Sequence, residues 1–293
     1  MKRLEMTEVI FKVLSYTLLT IFAIFCLYPF VYAISAALSG IDAYYSGRVV
    51  LLPVDFQTHA FRDILFTKRF WISYANTFFL TFYGTIWALA TSILGAYALS
   101  KKRLVFRSGF NFFLVFTLWF AAGLVPQFLN YRATQNIFDS IGITDDKWLI
   151  VIAMGMNAFN VVLLRNAFEG VPKEIEEAAI VDGATELQVL TKVYIPMSKA
   201  AIATVALFFG ISRWNGFFWA RTMTRNRNEW PLQVFIREQL DNIMAQELPA
   251  TTPYAPNSLV YAMIVCAIIP IIVIYPYLSK HFAKGVNVGG VRE

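Results

Sequence analysis

Residues 71–100 read WISYANTFFLTFYGTIWALATSILGAYALS, an uninterrupted run with no Asp, Glu, Lys, Arg or His. A transmembrane α-helix needs about 20 mostly apolar residues to cross roughly 30 Å of hydrocarbon. This run exceeds that length and contains no charge that would have to be placed in lipid. Residues 71–100 are therefore predicted to cross a bilayer as a helix.

Five further apolar segments stand out by their length. They lie at about 13–38, 109–129, 148–168, 200–220 and 259–279. Backbone polar groups in lipid must be satisfied within a helix or a closed barrel, and the alternating pattern of barrel strands is absent. The chain is therefore predicted to be an all-α integral membrane protein, with residues 1–293 forming one domain of six transmembrane helices surrounded by lipid.

The composition agrees with a membrane location. The chain of 293 residues is 58% hydrophobic and 15% charged, with a mean hydropathy of +0.56. One soluble globule cannot bury that much apolar surface. The net charge of +6 is scattered between the apolar spans, so no nucleic acid is expected as a partner. Two cysteines inside apolar runs and two isolated histidines predict no metal site.

One face of the second predicted span carries only small side chains. Gly84, Ala88, Ser92 and Ala96 repeat every four residues and therefore fall along one side of a helix. Small residues let helix backbones approach closely. We interpret this stripe as a packing surface rather than as a substrate site.

The topology follows from the short loop 101–107. It carries four cations, Lys101, Lys102, Arg103 and Arg107. Such a dense basic loop is typical of the cytoplasmic side of a membrane. Six spans then place both termini of this multi-pass protein in the cytoplasm. The apolar segment 13–38 is longer than the roughly 7–15 residues of a secretory h-region and is read as a retained helix.

The connection between the fourth and fifth predicted spans has the signals of two short helices. Pro172 suits the first position of a helix, and Gly183 suits the left-handed residue after its last turn. Thr185 and Gln188 fit a capping box that begins a second helix. Pro196 discourages continuation of that helix. The connection is therefore predicted to be a helical hairpin on the cytoplasmic side.

The predicted hairpin, residues 172–196, adds nothing to crossing the membrane and needs another role. Its first helix presents small and acidic groups on neighbouring faces, formed by Ile175, Ala178, Ala179 and Asp182. Such a ridge can fit a groove on a partner protein. The alternative is an amphipathic helix that lies on the membrane surface.

Several spaced positions resemble the EAA motif of importer-type ABC permeases. The match consists of Glu177-Ala178-Ala179, Gly183 and Val193-Tyr194-Ile195-Pro196. It is extended by Leu164-Arg165-Asn166-Ala167-Phe168, Arg213-Trp214-Asn215-Gly216-Phe217-Phe218-Trp219 and Lys284-Gly285-Val286. Over nearly the whole chain these stretches resemble carbohydrate-uptake permeases of the maltose-transporter type, including the alginate-importer subset. Val193 and Ile195 depart mildly from the usual Ile and Leu of the motif.

The resemblance implies the fold of an ABC type I importer permease, whose cytoplasmic coupling helix seats in a cleft of a separate ATPase. The ATPase-docking role then falls on Glu177, Ala178, Ala179, Asp182 and Gly183. The chain contains no G-x-x-x-x-G-K-[ST] phosphate loop. ATP and Mg are therefore expected on the partner ATPase, and this chain is expected to hold no cofactor and to be no enzyme itself.

The same resemblance implies a multi-protein assembly in the bacterial cytoplasmic (inner) membrane. Its expected members are ATPase subunits in two copies, a second homologous permease and an extracytoplasmic solute-binding protein. The implied function is that of a permease subunit that forms half of the translocation path for a carbohydrate. An oligosaccharide is the expected substrate.

Polar side chains within apolar spans are energetically expensive and therefore mark candidate positions on a substrate path. The candidates are Asn76, Asn157, Asn160, Arg213, Trp214 and Asn215. The indole ring of Trp214 could stack on a sugar ring. The alternatives are an interfacial aromatic belt and hydrogen bonds between helices.

Arg213 is the most informative of these candidates. A fixed positive charge facing the path would favour an anionic substrate, and Arg221, Arg225 and Arg227 would extend that field. This predicts an acidic oligosaccharide, such as a uronate oligomer. The alternatives are an ion pair with an acid of the second permease and snorkelling of Arg213 to the outer interface.

Two other classes of membrane protein compete with this interpretation. A secondary transporter or channel would normally carry acids within its spans, and none is visible in the predicted spans. An intramembrane enzyme would need a catalytic constellation, and the chain has no HExxH, no GxSxG and no clustered carboxylates in its spans.

Overall fold

The structure is a computed structural model that describes residues 6–245 and 253–285. These residues form α-helices joined by turns and loops, with no β-strand among them. The helices are α1 (Met6–Ala37), α2 (Ile41–Tyr45), α3 (His59–Phe66), α4 (Lys68–Ser100), α5 (Arg107–Trp119), α6 (Leu124–Ser140), α7 (Asp146–Ala153), α8 (Ala158–Glu169), α9 (Lys173–Val181), α10 (Glu186–Val189), α11 (Ile195–Met197), α12 (Lys199–Trp214), α13 (Phe218–Met223), α14 (Leu232–Met244) and α15 (Pro256–Gly285). A π-helical turn occupies Leu190–Tyr194, and a 3-10 turn occupies Arg227–Glu229.

Three helices of the described part of the chain are long and apolar enough to cross a membrane without a break. The qualifying stretches are Glu8–Ala37 of α1, Lys68–Ser100, which is all of α4, and Pro256–Ile274 of α15. They overlap the first, second and last predicted spans. Both chain termini and Val286 of the tail motif lie outside the described residues.

The other three predicted spans are interrupted in the structure. Candidate crossings there are bent pairs of helices, α5 with α6 at 114°, α7 with α8 at 48°, and Glu186–Met197 with α12 at 86°. The segments 109–129, 148–168 and 200–220 each contain a helix break, at residues 120–123, 154–157 and 215–217 respectively. The bend of the third helix pair is a separate one, at Ser198, just before the segment 200–220 begins. How these segments cross the membrane stays a prediction.

Two of the breaks have a local cause in the sequence. Gly123 has φ +86° and ψ 168°, a backbone conformation that residues with a side chain rarely adopt. Asn157 caps α8, because its side-chain oxygen accepts a hydrogen bond from the Asn160 N–H at 3.3 Å. A capping side chain of this kind competes with continuation of the preceding helix.

The chain divides into two compact units, of which the first comprises residues up to 70 together with 236–271. Side chains near the start of α15 bind the loops and helices of this unit. The Ser258 hydroxyl donates to the Ala36 carbonyl at 2.9 Å, and the Tyr254 hydroxyl donates to the Asp63 carboxylate at 2.6 Å. These bonds fix the beginning of α15 to α1 and α3.

The second unit comprises residues 71–235 and the residues from 272 onward. Its main core joins α4, α8, α10 and α12. Ala88, Ser92 and Ala96 of the small-residue stripe are fully buried, which confirms that the stripe packs inside the unit. Both candidate sites described below lie in this second unit.

Candidate functional site

Arg213, which lies in the last turn of α12, binds the end of α7 at the break between α7 and α8. Its guanidinium donates hydrogen bonds to the carbonyls of Ile150, at 3.2 Å, and Met154. Arg213 is only 8% exposed, and among the described residues no carboxylate pairs with it. The charge is therefore solvated by carbonyl dipoles of the broken helix.

Two side chains of α4 bind the same break from another side. The Trp87 indole N–H donates to the Ile152 carbonyl at 3.2 Å. The Thr91 hydroxyl lies 3.2 Å from the Gly155 carbonyl and 2.9 Å from the Trp87 carbonyl of its own helix, and it shares its one hydrogen between them. The Ile152 carbonyl also accepts from the Gly155 N–H at 3.2 Å, so the indole adds a second donor to it. In membrane proteins, irregular backbone is tolerated where it lines a cavity. Sequence reasoning did not find these contacts. An available signal was the Gly-Met-Asn sequence that interrupts an apolar span.

Gly155 is required by the close approach of Trp87. A Cβ added at this position would lie 2.6 Å from the indole nitrogen and 3.1 Å from the Ile152 carbonyl oxygen. Gly155→Ala is expected to displace the indole and to lower the free energy of unfolding by about 1–3 kcal/mol. Thermal unfolding in detergent measures this change. Gly109→Ala is the control, since nothing lies within 4 Å of its added Cβ, and equal unfolding temperatures of the two variants would contradict the account.

A cavity of about 520 Å³ opens at the broken helix. Its polar lining consists of Asn157, Asn160, Ser212 and Arg213, and its aromatic lining consists of Tyr131, Phe159, Phe208 and Phe209. A second cavity of about 210 Å³ also includes Arg213 in its lining, with Phe217, Phe218 and Trp219. Three of the six predicted path residues, Asn157, Asn160 and Arg213, are thus brought together around one space.

The other predicted path residues have different surroundings. The Asn76 amide donates to the carbonyls of Asn228, at 2.7 Å, and Trp230, at 3.2 Å, which favours a structural role. Trp214 is 5% exposed and packs edge-on against Tyr74 and Phe78. The exposed Asn215 donates from its side chain to the Ile211 carbonyl at 3.1 Å. Direct contact of these three with substrate stays a prediction.

The outer arginines differ from one another in how their charges are used. Arg225 bonds to Asp139 at 2.7 Å and to Asp146 at 2.8 Å, and these hydrogen bonds raise the pKa of Arg225 above its usual value. The guanidinium of Arg221 lies 4.5 Å from the ring centroid of Trp230. Arg225 is therefore neutralised by two carboxylates and does not extend a positive field toward the cavity.

The cytoplasmic hairpin has the caps that its sequence predicts, with one shift at the start. α9 begins at Lys173, so Pro172 is the residue before the helix rather than its first residue. Gly183 has φ +80°, and its N–H donates to the Ile180 carbonyl at 3.0 Å. The Ala184 N–H donates to the Ala179 carbonyl at 3.0 Å. This pair of bonds is a Schellman motif, so the left-handed glycine is confirmed.

The second arm of the hairpin begins with the predicted capping box. The Thr185 N–H donates to the Gln188 side chain at 2.8 Å, and the Gln188 N–H donates to the Thr185 hydroxyl at 3.4 Å. The chain then remains helical through the π-helical turn Leu190–Tyr194 and past Pro196. It bends only at Ser198, where α12 departs at 86°. The wider π turn accommodates the proline, which cannot donate a backbone hydrogen bond.

The hairpin presents an exposed surface that is partly apolar. Four of its five predicted docking residues are exposed, Glu177, Ala178, Asp182 and Gly183, whereas Ala179 is half-buried against the core. Val181 is 86% exposed and Leu187 is 66% exposed. These two aliphatic side chains were missed by the sequence argument, in which Ile175 was the one large aliphatic residue of the ridge.

Residues 88–288 match the family described as binding-protein-dependent transport system inner membrane component. The polygalacturonan/rhamnogalacturonan transport system permease protein YtcP of Bacillus subtilis (strain 168) is 33% identical, over 97% of this chain and 98% of that protein. Protein LplC of the same organism is 31% identical, over 90% of this chain and 88% of its own length.

Two solved structures are similar to this chain. One is the crystal structure of a bacterial ABC transporter involved in the import of the acidic polysaccharide alginate, which is 42% identical, with a TM-score of 0.85, and covers 96% of this chain and 100% of that chain. A bacterial alginate ABC transporter in complex with an alginate pentasaccharide-bound periplasmic protein shares the fold, with a TM-score of 0.64 at 14% identity, over 97% of this chain and 96% of that chain. By this fold and the family match, the chain belongs to the inner membrane components of binding-protein-dependent transport systems.

Proposed function

We propose that this chain forms one half of the translocation path of an ATP-driven importer for an acidic oligosaccharide. The observation that carries the proposal is Arg213, a buried cation at the wall of a 520 Å³ cavity. Among the described residues its partners are carbonyls rather than an acid. A carboxylate on a substrate would supply the negative charge that balances the Arg213 guanidinium.

The rest of the cavity lining suits a sugar. Asn157 and Asn160 offer amide groups to hydroxyls, while Phe159, Phe208 and Tyr131 offer ring faces. A volume of about 520 Å³ lies within the usual range of ligand sites. Relatives named for polygalacturonan/rhamnogalacturonan transport and for import of the acidic polysaccharide alginate support the same substrate class.

The energy of ATP hydrolysis reaches the permease through the hairpin, residues 172–196. The exposed surface around Glu177, Ala178, Asp182 and Gly183 docks into the ATPase, and Val181 and Leu187 supply its apolar contacts. Ala179 supports this surface from the core side. ATP and Mg are held by the ATPase, since this chain lacks a phosphate loop.

The remaining partners complete the path and deliver the substrate. A second, homologous permease supplies the other half, and an extracytoplasmic binding protein supplies the sugar, in line with the pentasaccharide-bound periplasmic protein of the related alginate complex. Two ATPase subunits drive the pair. The hairpin and both termini face the cytoplasm, as the basic loop 101–107 indicates.

Purification of the chain together with its candidate partners tests this assignment. Co-expression is expected to yield a complex of this chain, a second permease and an ATPase. ATP hydrolysis by that complex is expected to rise when a binding protein loaded with an acidic oligosaccharide is added, and not when the protein carries a neutral one. A chain that purifies without an ATPase, or hydrolysis indifferent to the sugar, would refute the proposal.

A further inference from the structure

Two carboxylates of the hairpin are bound by the end of α4 and the loop that follows it. Glu176 of α9 accepts hydrogen bonds from the Lys101 ammonium and the Tyr194 hydroxyl. Glu186 of α10 accepts from the Tyr97 hydroxyl, at 2.8 Å, and forms an ion pair with Arg103. Tyr97, Lys101 and Arg103 thus bind the hairpin to α4 and the loop after it, whereas Tyr194, which belongs to the hairpin, ties its two arms together.

Lys101 is the centre of this arrangement. It is 8% exposed, and its ammonium lies 4.3 Å from the ring centroid of Tyr97 and 3.9 Å from that of Tyr194. The two rings contact each other edge to face, with centroids 5.1 Å apart. A buried cation is retained only where charge and ring faces replace its lost water, and this site supplies both.

The carboxylate of Glu176 is ionised in this setting. Burial alone would raise its pKa, but the hydrogen bonds from Lys101 and Tyr194 hold the pKa of Glu176 below its ordinary value. The ion pair with Lys101 is therefore complete at neutral pH. Removal of either partner would leave the other as an uncompensated, largely buried charge.

We propose that Tyr97, Lys101, Arg103, Glu176, Glu186 and Tyr194 form a clasp that transmits movement of the docked hairpin to α4. This inference rests on the proposed function, because only an ATPase bound to the hairpin would move it. α4 continues unbroken from Lys68 to Ser100 and carries Tyr97 near its end. A displacement of the clasp therefore acts on the end of this continuous helix.

The same helix contacts the helix break that lines the substrate cavity. Trp87 lies about three helical turns before Tyr97, and its indole N–H binds the Ile152 carbonyl beside the break between α7 and α8. The Thr91 hydroxyl, about two turns before Tyr97, lies 3.2 Å from the Gly155 carbonyl in that break. The α12 route is less direct, since the chain bends by 86° between the hairpin and α12. The residues of the clasp are thus positioning residues that connect the ATPase-docking surface to the helix break beside the cavity through one continuous helix.

The experiment measures uptake and ATP hydrolysis in vesicles that contain the complete complex. Tyr97→Phe removes a hydrogen bond between α4 and the hairpin without leaving a buried charge, and it is expected to reduce sugar transported per ATP hydrolysed about tenfold, while ATP hydrolysis and ATPase binding stay near wild-type values. Arg103→Gln, at an exposed ion pair, is expected to reduce the same ratio by less. Glu174→Gln is the matched control, because this exposed carboxylate of α9 lines neither the clasp nor the cavity. Its transport per ATP is expected to equal that of the wild type.

A double-mutant comparison separates transmission from simple stability. Tyr97→Phe and Trp87→Phe change sites that lie ten residues, about 15 Å, apart on α4, and the effects of such sites add unless the sites are coupled. Transmission through α4 predicts that the double variant loses no more transport than Tyr97→Phe alone. Additive losses, unchanged transport per ATP in the clasp variants, or failure of both clasp variants to assemble would each overturn the clasp. Absence of ATP-driven uptake in the wild type would instead refute the proposed function.

Discussion

Arg213→Gln is expected to lower uptake of acidic oligosaccharides about tenfold or more, because a hydrogen bond to a charged group contributes about 1.5–3 kcal/mol. Glutamine keeps an amide N–H that can bind a carbonyl of the broken helix but removes the positive charge from the cavity wall. Uptake of neutral oligosaccharides of the same length has no charge contact to lose. The ratio of acidic to neutral oligosaccharide uptake is therefore expected to fall. Competition uptake assays in vesicles measure this ratio.

Two further variants serve as controls for Arg213. Arg213→Lys keeps the charge and is expected to keep the preference, with slower uptake because an ammonium cannot span two carbonyls as the planar guanidinium does. Arg221→Gln removes an arginine that lies over the Trp230 ring, and it is expected to leave the preference unchanged. An Arg213→Gln complex that assembles and still prefers acidic substrates would show that this charge does not select them.

Val181→Asp is expected to release the ATPase from the permease. Val181 is 86% exposed on the hairpin, and a carboxylate placed there would be buried without a partner when the ATPase docks. A penalty of about 3 kcal/mol corresponds to more than a hundredfold loss of affinity. Binding of the purified ATPase to the permease in detergent measures this loss, and ATP-driven uptake is expected to fall with it.

A second exposed aliphatic residue provides the control for this variant. Leu52 is 75% exposed and lies in the loop between α2 and α3, far from the hairpin in sequence. Leu52→Asp adds the same charge to an exposed apolar position and is expected to leave ATPase binding unchanged. If Val181→Asp binds the ATPase as tightly as Leu52→Asp, Val181 is not part of the docking surface.

Local sequence signals predicted the hairpin well because its shape depends on short-range chemistry. The Schellman motif at Gly183 and the capping box of Thr185 with Gln188 involve residues at most five positions apart. The family prediction, made from the EAA-like positions and the six-span pattern, is confirmed by the match over residues 88–288. The permease fold is confirmed by the related alginate importer chain.

The helix breaks and the donors that bind them could not be read from hydrophobicity. A broken helix and a continuous one have the same composition, and a hydropathy pattern does not report φ. Gly123 and Asn157 were visible as helix-breaking residue types, but their effect depends on the surroundings. The donors to the break come from distant positions, since Trp87 is 65 residues from Ile152 in sequence.

The ion pairs that the basic loop 101–107 forms with the hairpin were missed by the sequence argument. The cations of this loop were fully explained by the topology of the membrane, so no further role was sought for Lys101 or Arg103. Their carboxylate partners, Glu176 and Glu186, lie 75 and 83 residues away in the chain. The density of basic residues in a loop indicates which side of the membrane the loop faces. The carboxylates with which those residues form ion pairs can be identified only from the tertiary fold.

ATP-driven uptake in vesicles that contain this chain, the second permease and the ATPase, with the binding protein supplied, tests the central claim most directly. The account predicts that a labelled acidic oligosaccharide accumulates only when ATP and the binding protein are both present. Excess unlabelled acidic oligosaccharide is expected to suppress this uptake, and a neutral oligosaccharide of equal length is not. Uptake that persists without the ATPase, or that neutral and acidic sugars suppress equally, would contradict the account.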